Sequence, residues 1–273
     1  MAGTDPWNGT DRLDEATLDV MVARLEARGE NAEFVGMLDD YLDAMEIDAA
    51  ATVLDLGCGT GLVSRRICAR PDFVGTCHGI DLSDYLVSAA RRLADAEGAG
   101  ERVRFEAGDT HSLNLADASY DAVIAHTLFS HLDDPGAVLS EMARVVRPGG
   151  RIAIYDGDYA SLTFEEADPV QSRQNSDRVI EALVTQPRVL RQMPRIARRH
   201  GLVLDGMFSY VLTEAGRADF WVSAVEGFRV LGPRSGVVTE AEANAWADAQ
   251  LAASEEGVFF GSSNYYTYLF RPA

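Results

Sequence analysis

The segment ATVLDLGCGTGL, residues 51–62, decides how the rest of the chain is interpreted. A short apolar run passes through Asp55 into three glycines, Gly57, Gly59 and Gly61, each separated from the next by one residue. A glycine-rich turn that follows a strand brings backbone N–H groups close to a ligand, which is usually an anion. The acidic side chain before this turn is unfavourable for a phosphate, so the segment favours a ligand that carries a positive charge.

Composition predicts one globular domain, residues 1–273, with no nucleic-acid partner. A chain of this length buries about three-quarters of its unfolded surface. Its mean hydropathy is −0.08 and its formal net charge is −19, and a field of that sign repels polyanions such as DNA and RNA. The sequence contains no lysine, which excludes Schiff-base chemistry, pyridoxal phosphate and a P-loop lysine.

The cysteines and the first residues predict a cytoplasmic protein without membrane attachment. Cys58, Cys68 and Cys77 are odd in number, lie in one region and match no zinc spacing, so we expect reduced thiols and no metal site. No stretch approaches the run of about 20 apolar residues that a membrane span requires. Residues 1–15 lack the basic and apolar segments of a secretory signal.

Residues 48–156 alternate between strand and helix patterns, which predicts βαβ units, a parallel sheet and an α/β fold. Ser83 is a predicted N-cap, and Pro-Gly-Gly at 148–150 ends the last helix of this region. The predicted strands are 52–56, 77–81, 103–108, 120–126 and 151–156, and the predicted helices are 61–70, 83–97 and 134–147.

The segments on both sides of this core predict a lid. Apolar residues at helical spacing predict two helices within residues 12–47, before the first strand. After the core, residues 157–200 and 214–256 are predicted to be helical insertions, with breaks in the first at Pro187 and Pro194. The two remaining strand patterns, which predict the final strands, are 202–213 and 264–272.

Polar residues stand at four successive strand ends of the predicted sheet. They are Asp55 in the glycine turn, Asp81, Asp109, and finally His126 and His131. Ligands of an open α/β sheet bind outside the carboxyl ends of its strands, so we expect these residues to share one crevice. The dinucleotide fingerprint has its third glycine one residue later than this turn does, so the site favours a cationic ligand with a ribose over a pyrophosphate.

Four motifs in this order resemble the class I S-adenosylmethionine-dependent methyltransferases. They are VLDLGCGTG (53–61), GIDLS (79–83), EAGDTHSL (106–113) and YDAVIAHTLFSHLDDPGAVLSEMARVVRPGGRIAIYD (120–156). The chain is most similar to the bacterial ubiquinone and menaquinone methyltransferases, from about residue 30 to residue 156, whereas the later insertions are not shared. The resemblance implies a Rossmann-like sheet of seven mostly parallel strands, with helices on both faces and an antiparallel last strand.

The resemblance also implies the residues that bind S-adenosylmethionine and its product, S-adenosylhomocysteine. Gly57 and Gly59 would approach the methionine and ribose portions, and Asp55 would reach the amino group. Asp81 would take both ribose hydroxyls, although a residue at a strand end also fits a purely structural role. The rest of the implied set comprises Cys58, Gly61, Leu82, Thr110, the backbone of His126, and Asp109, which also suits a Gly-Asp turn.

Methyl transfer depends mainly on holding the acceptor in line, and a general base is optional. The candidate bases near strand ends are His126, His131 and Asp158. Arg191 lies in an arginine-rich segment and would hold an anionic group of the substrate. The alternative is that the arginines of this segment complement the negative C-terminal end of a helix. The aromatic candidates for the acceptor pocket are Phe34, Tyr41, Tyr159, Phe260 and Tyr265.

The sequence predicts a monomeric or homodimeric enzyme that transfers a methyl group from S-adenosylmethionine to a small molecule. The acceptor is expected to be a partly apolar metabolite, for example one of secondary metabolism, and to be methylated at O, N or C. One alternative is a homologue that binds the cofactor but catalyses another reaction. A second is an NAD-dependent oxidoreductase, which the early third glycine disfavours.

Overall fold

A computed structural model describes residues 5–273, which form an α/β structure around one seven-stranded sheet. The sheet has the order β3-β2-β1-β4-β5-β7-β6, in which β7 runs antiparallel to its neighbours β5 and β6 and the other pairs are parallel. The predicted Rossmann-like sheet with an antiparallel last strand is therefore confirmed. The strands are β1 (Thr52–Leu56), β2 (Thr76–Asp81), β3 (Val103–Ala107), β4 (Tyr120–His126), β5 (Val146–Phe164), β6 (Leu202–Gly216) and β7 (Phe259–Pro272).

Helices cover both faces of the sheet, as predicted. On one face lie α5 and α7, and on the other lie α2, α3 and α4, together with the helices that cover the strand ends. The α-helices are α1 (Glu15–Glu30), α2 (Ala32–Ala44), α3 (Leu62–Cys68), α4 (Asp84–Ala96), α5 (Pro135–Val145), α6 (Pro169–Leu183), α7 (Val189–Arg199), α8 (Phe220–Arg234) and α9 (Glu240–Glu256). Two short 3₁₀ helices, Pro6–Arg12 and Phe129–His131, border the same strand ends.

The sheet separates two hydrophobic cores, one on each face, and the central strand β4 contributes side chains to both. Its side chains alternate, so that Ala122 and Ile124 pack in one core while Val123 and Ala125 pack in the other. All four are at most 2% exposed. The centre of the sheet is therefore buried on both faces, and its carboxyl edge is where a ligand of such a sheet binds.

Several predicted boundaries were wrong because β5, β6 and β7 are longer than the sequence pattern indicated. Residues 157–164 continue β5 and do not begin a helical insertion, since Gly157 and Asp158 pair with Tyr265 and Asn264 of β7. The strand pairing of β6 with β7 likewise extends to Gly216. Two strands can go on pairing past the ends of their neighbours, provided that both continue. The sequence of one strand does not show how far its partner continues.

The predicted helix break at Pro194 was also wrong. Pro187 does lie between α6 and α7, but Pro194 stands inside α7. Proline there removes one intrahelical hydrogen bond. The helix continues because Leu190, Met193 and Ala197 on one face are buried against the sheet.

The lid is assembled from both ends of the chain. Helix α1 packs on α8, α8 packs on α9, and α6 lies along β5. The Ser176 hydroxyl of α6 accepts a hydrogen bond from Phe164 N at 3.0 Å, which fastens that helix to the end of β5. These elements stand over the carboxyl ends of β1 and β4 and enclose a cavity.

We expect Gly61→Ala to destabilise the fold by several kcal/mol. Gly61 has φ 77°, which costs a residue with a side chain about 1–2 kcal/mol, and an added Cβ would lie 2.5 Å from Phe105 Cζ. Overpacking of that kind adds about 1–3 kcal/mol. Urea unfolding of both proteins measures the loss.

Gly98→Ala is the matched control for Gly61→Ala. Gly98 has φ 75°, but no atom lies within 4 Å of the position of its Cβ. The free energy of unfolding of this control should fall only by the cost of the positive φ, about 1–2 kcal/mol. Equal losses in the two variants would show that the contact with Phe105 is not tight.

Candidate functional site

The glycine turn between β1 and α3 is held against the end of β2 by backbone hydrogen bonds. Cys58 N donates to Ile80 O at 3.0 Å, and Gly61 N donates to Cys58 O at 2.7 Å. Gly57 and Gly59 adopt φ of 64° and 53°, which favours glycine at both positions. An added Cβ would come within 2.7 Å of Leu128 at Gly57 and 3.0 Å of Leu25 at Gly59, so side chains there would obstruct the space above the turn.

Asp55 is a buried carboxylate at the end of β1, below the turn. Its Oδ2 accepts hydrogen bonds from Ser64 N at 3.2 Å and Ser64 Oγ at 2.8 Å. Its Oδ1 is buried without a hydrogen-bond partner. Burial raises the pKa of Asp55 to about 7, so the carboxylate is stabilised by any cationic group that reaches Oδ1.

Asp81 connects the end of β2 to the glycine turn. Its Oδ2 accepts from Gly59 N at 2.8 Å, and its Oδ1 accepts from Ser83 N at 3.0 Å. Burial raises the pKa of this carboxyl, and the two backbone N–H groups act in the opposite direction. Next to it, Leu82 is 39% exposed and lines the cavity.

The loop after β3 presents Asp109 and Thr110 to the same cavity. Asp109 Oδ1 accepts from His111 N at 2.9 Å and lies 2.7 Å from His111 Nδ1. The hydrogen bond from the His111 backbone lowers the pKa of Asp109, which keeps this carboxylate ionised near neutral pH.

His126, the last residue of β4, is held within an aromatic cluster. Its Nδ1 lies 2.9 Å from the Tyr41 hydroxyl, and its ring stacks on Tyr155 with centroids 4.4 Å apart. Its Nε2 is buried without a partner. Burial, together with the charge of Arg28, lowers the pKa of His126 well below its ordinary value, so the ring is neutral at physiological pH.

His131 follows β4 on the short 3₁₀ helix and pairs with Asp5. Its Nδ1 lies 2.7 Å from Asp5 Oδ2, which also accepts hydrogen bonds from the Thr185 backbone and hydroxyl. Burial alone would lower the pKa of His131, but the charge of Asp5 and its hydrogen bond outweigh burial and raise it. The pair fixes the proton on Nδ1 and leaves Nε2 as the acceptor.

These groups share a cavity of about 580 Å³. One end, the turn end, is lined by the residues that follow the strands, among them Asp55, Gly57, Cys58, Gly59, Asp81, Leu82, Asp109, Thr110 and His126. The other end, the lid chamber, is lined by side chains of α1, β5, α6, α8 and α9, among them Arg24, Arg28, Leu162, Phe164, Val179, Leu183, Trp221 and Trp246. A polar end and a mainly apolar end are thus joined in one space.

The structure brings most of the predicted pocket residues together. Phe34, Tyr159 and Tyr265 line the cavity along with His126 and His131. Gly61 lies one residue beyond the part of the turn that lines the cavity and begins α3 as its N-cap.

Besides Gly61, four predicted site residues lie outside the cavity lining. Asp158 and Arg191 form an ion pair with each other, with Nη2 and Oδ2 2.7 Å apart, on the side of the sheet that faces α7. Asp158 and Tyr159 are consecutive on a strand, so their side chains lie on opposite faces. Phe260 is 37% exposed on β7, whereas Tyr41 is buried behind His126.

The sequence analysis did not identify the arginines and tryptophans of the cavity. Arg24 and Arg28 are one helical turn apart on α1, and Trp7, Trp221 and Trp246 come from three separate elements. The sequence contains one signal for Arg28: it continues, at helical spacing, the row of Leu18, Met21 and Leu25 on α1. That spacing shows which residues share a face of α1 but not what the face contacts.

Comparison with known proteins agrees with this geometry. Residues 54–154 match a family model described as a methyltransferase domain. The chain is 35% identical over 120 residues to the methyltransferase GfsG of Streptomyces halstedii, a match covering 44% of this chain and 42% of that protein. It is 35% identical over 143 residues to the 27-O-demethylrifamycin SV methyltransferase of Amycolatopsis mediterranei, covering 52% of this chain and 47% of that protein. Each match thus spans less than half of the relative's length.

A solved structure extends the similarity to the whole fold. The crystal structure of the 4+2 cyclase SpnF superposes with a TM-score of 0.61 at 20% identity, over 89% of this chain and 84% of that chain. Residues 54–154 thus resemble a methyltransferase domain in sequence, and the superposition and the strand order show that the chain shares the fold of these proteins. In residues 5–273 no helix has the length and apolar character of a membrane span.

The raised pKa of Asp55 predicts a pH-dependent stability. The folded protein binds a proton at Asp55 up to a pH of about 7, whereas the unfolded chain loses it near 3.8. Unfolding therefore releases a proton between these values, and the free energy of unfolding falls as the pH rises from about 4 to 7. We expect Asp55→Asn, measured by urea unfolding without ligand, to remove this contribution.

The difference between the wild type and Asp55→Asn isolates this one carboxyl, because Asp81 and Asp156 also have raised pKa values. The Asn oxygen still accepts from Ser64. Parallel stability curves for the two proteins between pH 4 and 7 would contradict the assignment.

Proposed function

We propose that the protein transfers a methyl group from S-adenosylmethionine to a small, partly apolar metabolite. The observation that carries the proposal is the single cavity that joins the glycine turn to the lid chamber. Carboxylates suited to an amino group and a ribose lie at one end, and an apolar enclosure suited to an acceptor lies at the other. The two matched relatives, both named as methyltransferases, support it.

The residues at the turn end fit S-adenosylmethionine. The unpartnered Oδ1 of Asp55 matches a cationic amino group. Gly57 and Gly59 line the cavity without side chains, so a ligand can approach the backbone there. Asp81 and Leu82 would hold the ribose and cover one face of the adenine, with Asp109 and Thr110 at its edge. Bound there, the cofactor supplies a methyl group on a sulfonium.

The protein's own contribution is to orient the acceptor, exclude water and accept a proton. Alignment in a closed site is worth about 7–11 kcal/mol, so positioning by the lid is the larger effect. Of the two histidines that line the cavity, His131 is the better base, since Asp5 raises its pKa whereas burial lowers that of His126. A base of this kind adds about 10²–10⁴-fold.

A secondary metabolite is the acceptor class we favour, and O, N or C remains the candidate acceptor atom. The similarity to the rifamycin-type methyltransferase supports the metabolite class. The fold also occurs in a protein named as a cyclase, so binding the cofactor and transferring its methyl group require separate tests.

Calorimetric titration tests the cofactor assignment. We expect the wild type to bind S-adenosylmethionine and S-adenosylhomocysteine but not NADH. Each hydrogen bond to a charged group is worth about 1.5–3 kcal/mol, so Asp81→Ala, which loses two, should bind the cofactor about a hundredfold more weakly or worse. Asp84→Ala, in the exposed first turn of α4, is the matched control.

Unaltered affinity in Asp81→Ala, or tighter binding of NADH, would contradict the assignment. Release of S-adenosylhomocysteine over a panel of acceptors then tests methyl transfer itself. Binding of the cofactor without release from any acceptor would favour the alternative, a homologue that catalyses another reaction.

His131 predicts a pH profile for the reaction. A base must be neutral, so the rate should rise with pH through a pKa above the ordinary histidine value of 6.5. Asp5→Asn removes the charge that raises this pKa, so the rise should move to lower pH. His131→Asn should lower kcat by about 10²-fold or more and abolish the rise. A profile unchanged in Asp5→Asn would rule out His131 as the base.

A further inference from the structure

The lid chamber contains two guanidinium groups for which the described residues provide no anion. Arg28 is 8% exposed, and its Nε and Nη2 are buried without hydrogen-bond partners. Arg24 is partly buried, its Nε also lacks a partner, and its Nη1 reaches only Ala224 O at 3.5 Å. Within residues 5–273 neither side chain forms an ion pair with a carboxylate. Buried cations without a partner are costly, so an anion is the expected occupant.

The surroundings of the two arginines are aromatic. The Arg28 guanidinium lies 4.4 Å from the centroid of the Phe34 ring, which contacts His126. The titratable groups that face Arg24 are Arg28 and the hydroxyls of Tyr159 and Tyr265, and burial raises the pKa of both tyrosines, so they stay neutral. Burial, followed by the charge of Arg28, lowers the pKa of Arg24 to about 10. Arg24 therefore stays protonated at neutral pH, and the positive potentials of the two side chains add.

The indoles of the chamber also lack acceptors. Trp221 and Trp246 both line the cavity, and the Nε1 of each is buried without a partner. Several buried N–H donors of the described chamber therefore have no acceptor oxygen. A ligand that fills it well would bring acceptor oxygens next to an apolar body.

We propose that the lid chamber binds an acceptor that carries an oxyanion, a carboxylate or a phosphate, on an apolar body, with Arg24 as its main contact and Arg28 beside it. This inference rests on the proposed function, since it specifies the acceptor of that site. Arg24 reaches Ala224 of α8. By contrast, Leu25 lies next to Gly59, and Arg28 lies over Phe34, which contacts His126. Guanidinium groups bind both oxyanions through paired hydrogen bonds.

The chain provides its own probe for a binding experiment. Its three tryptophans, Trp7, Trp221 and Trp246, all line the cavity, so intrinsic fluorescence reports occupancy. Protein loaded with S-adenosylhomocysteine is titrated with octanoate, octyl phosphate and octanamide, which share an alkyl body and differ in the head group. The relative affinities of the two anions distinguish a carboxylate site from a phosphate site.

In the wild type, at least one anion should bind about tenfold or more tightly than the amide. Arg24→Gln should abolish this preference while its affinity for S-adenosylhomocysteine, measured by calorimetry, stays within about threefold of the wild type. That retained affinity also shows that the variant is folded. Arg92→Gln makes the same charge change on the exposed face of α4 and should keep the preference.

The inference is overturned by any of four results. These are equal binding of acid and amide in the wild type, no binding of any probe, a preference that persists in Arg24→Gln, or a tenfold loss of S-adenosylhomocysteine affinity in that variant. The last result would assign Arg24 to the cofactor's own carboxylate. If S-adenosylhomocysteine does not bind the wild type, the proposed function is wrong. The same probe titration on the unloaded protein then shows whether the oxyanion site exists.

Discussion

The antiparallel pairing of β5 with β7 is the constraint on which the binding site depends. Both strands continue past the end of β4, and the extra length carries Tyr159, Leu162 and Phe164 out over the carboxyl edge of the sheet. Helices α6, α8 and α9 lie against this extension, and α1 closes the cavity by packing on α8. Without the extended pair, the glycine turn would stand at an open edge, as a strand end does in a plain parallel sheet.

The cavity separates charge along its length. Buried carboxylates with raised pKa values, Asp55 and Asp81, stand at the turn end, whereas guanidiniums without carboxylate partners stand in the lid chamber. The rings of Phe34 and His126 pack on each other, and Phe34 also contacts the Arg28 guanidinium. A ligand pair with positive charge at one end and negative charge at the other matches this arrangement, and in a largely apolar space such matching is stronger than in water.

The sequence predicted the core of the fold closely, and the lid less well. Strands 52–56 and 120–126 were placed at their observed bounds because a short apolar run that ends in polar or glycine residues is a local signal. The residues of the glycine turn, Asp81 and the two histidines were predicted as neighbours because parallel strands end at one edge. The paired Asp158 and Arg191 were misplaced because alternation along β5 depends on where the strand ends, and that depends on β7. Arg24 and Arg28 were missed because the face of α1 that they occupy is defined only by its packing.

The sequence contains no lysine, so the cations of the lid chamber are arginines. A lysine ammonium buried beside another cation loses its proton readily, and the site would then be charged or neutral depending on pH. Arg24 keeps its proton even with a pKa lowered to about 10. The chamber therefore keeps the positive charge of Arg24 across the physiological pH range.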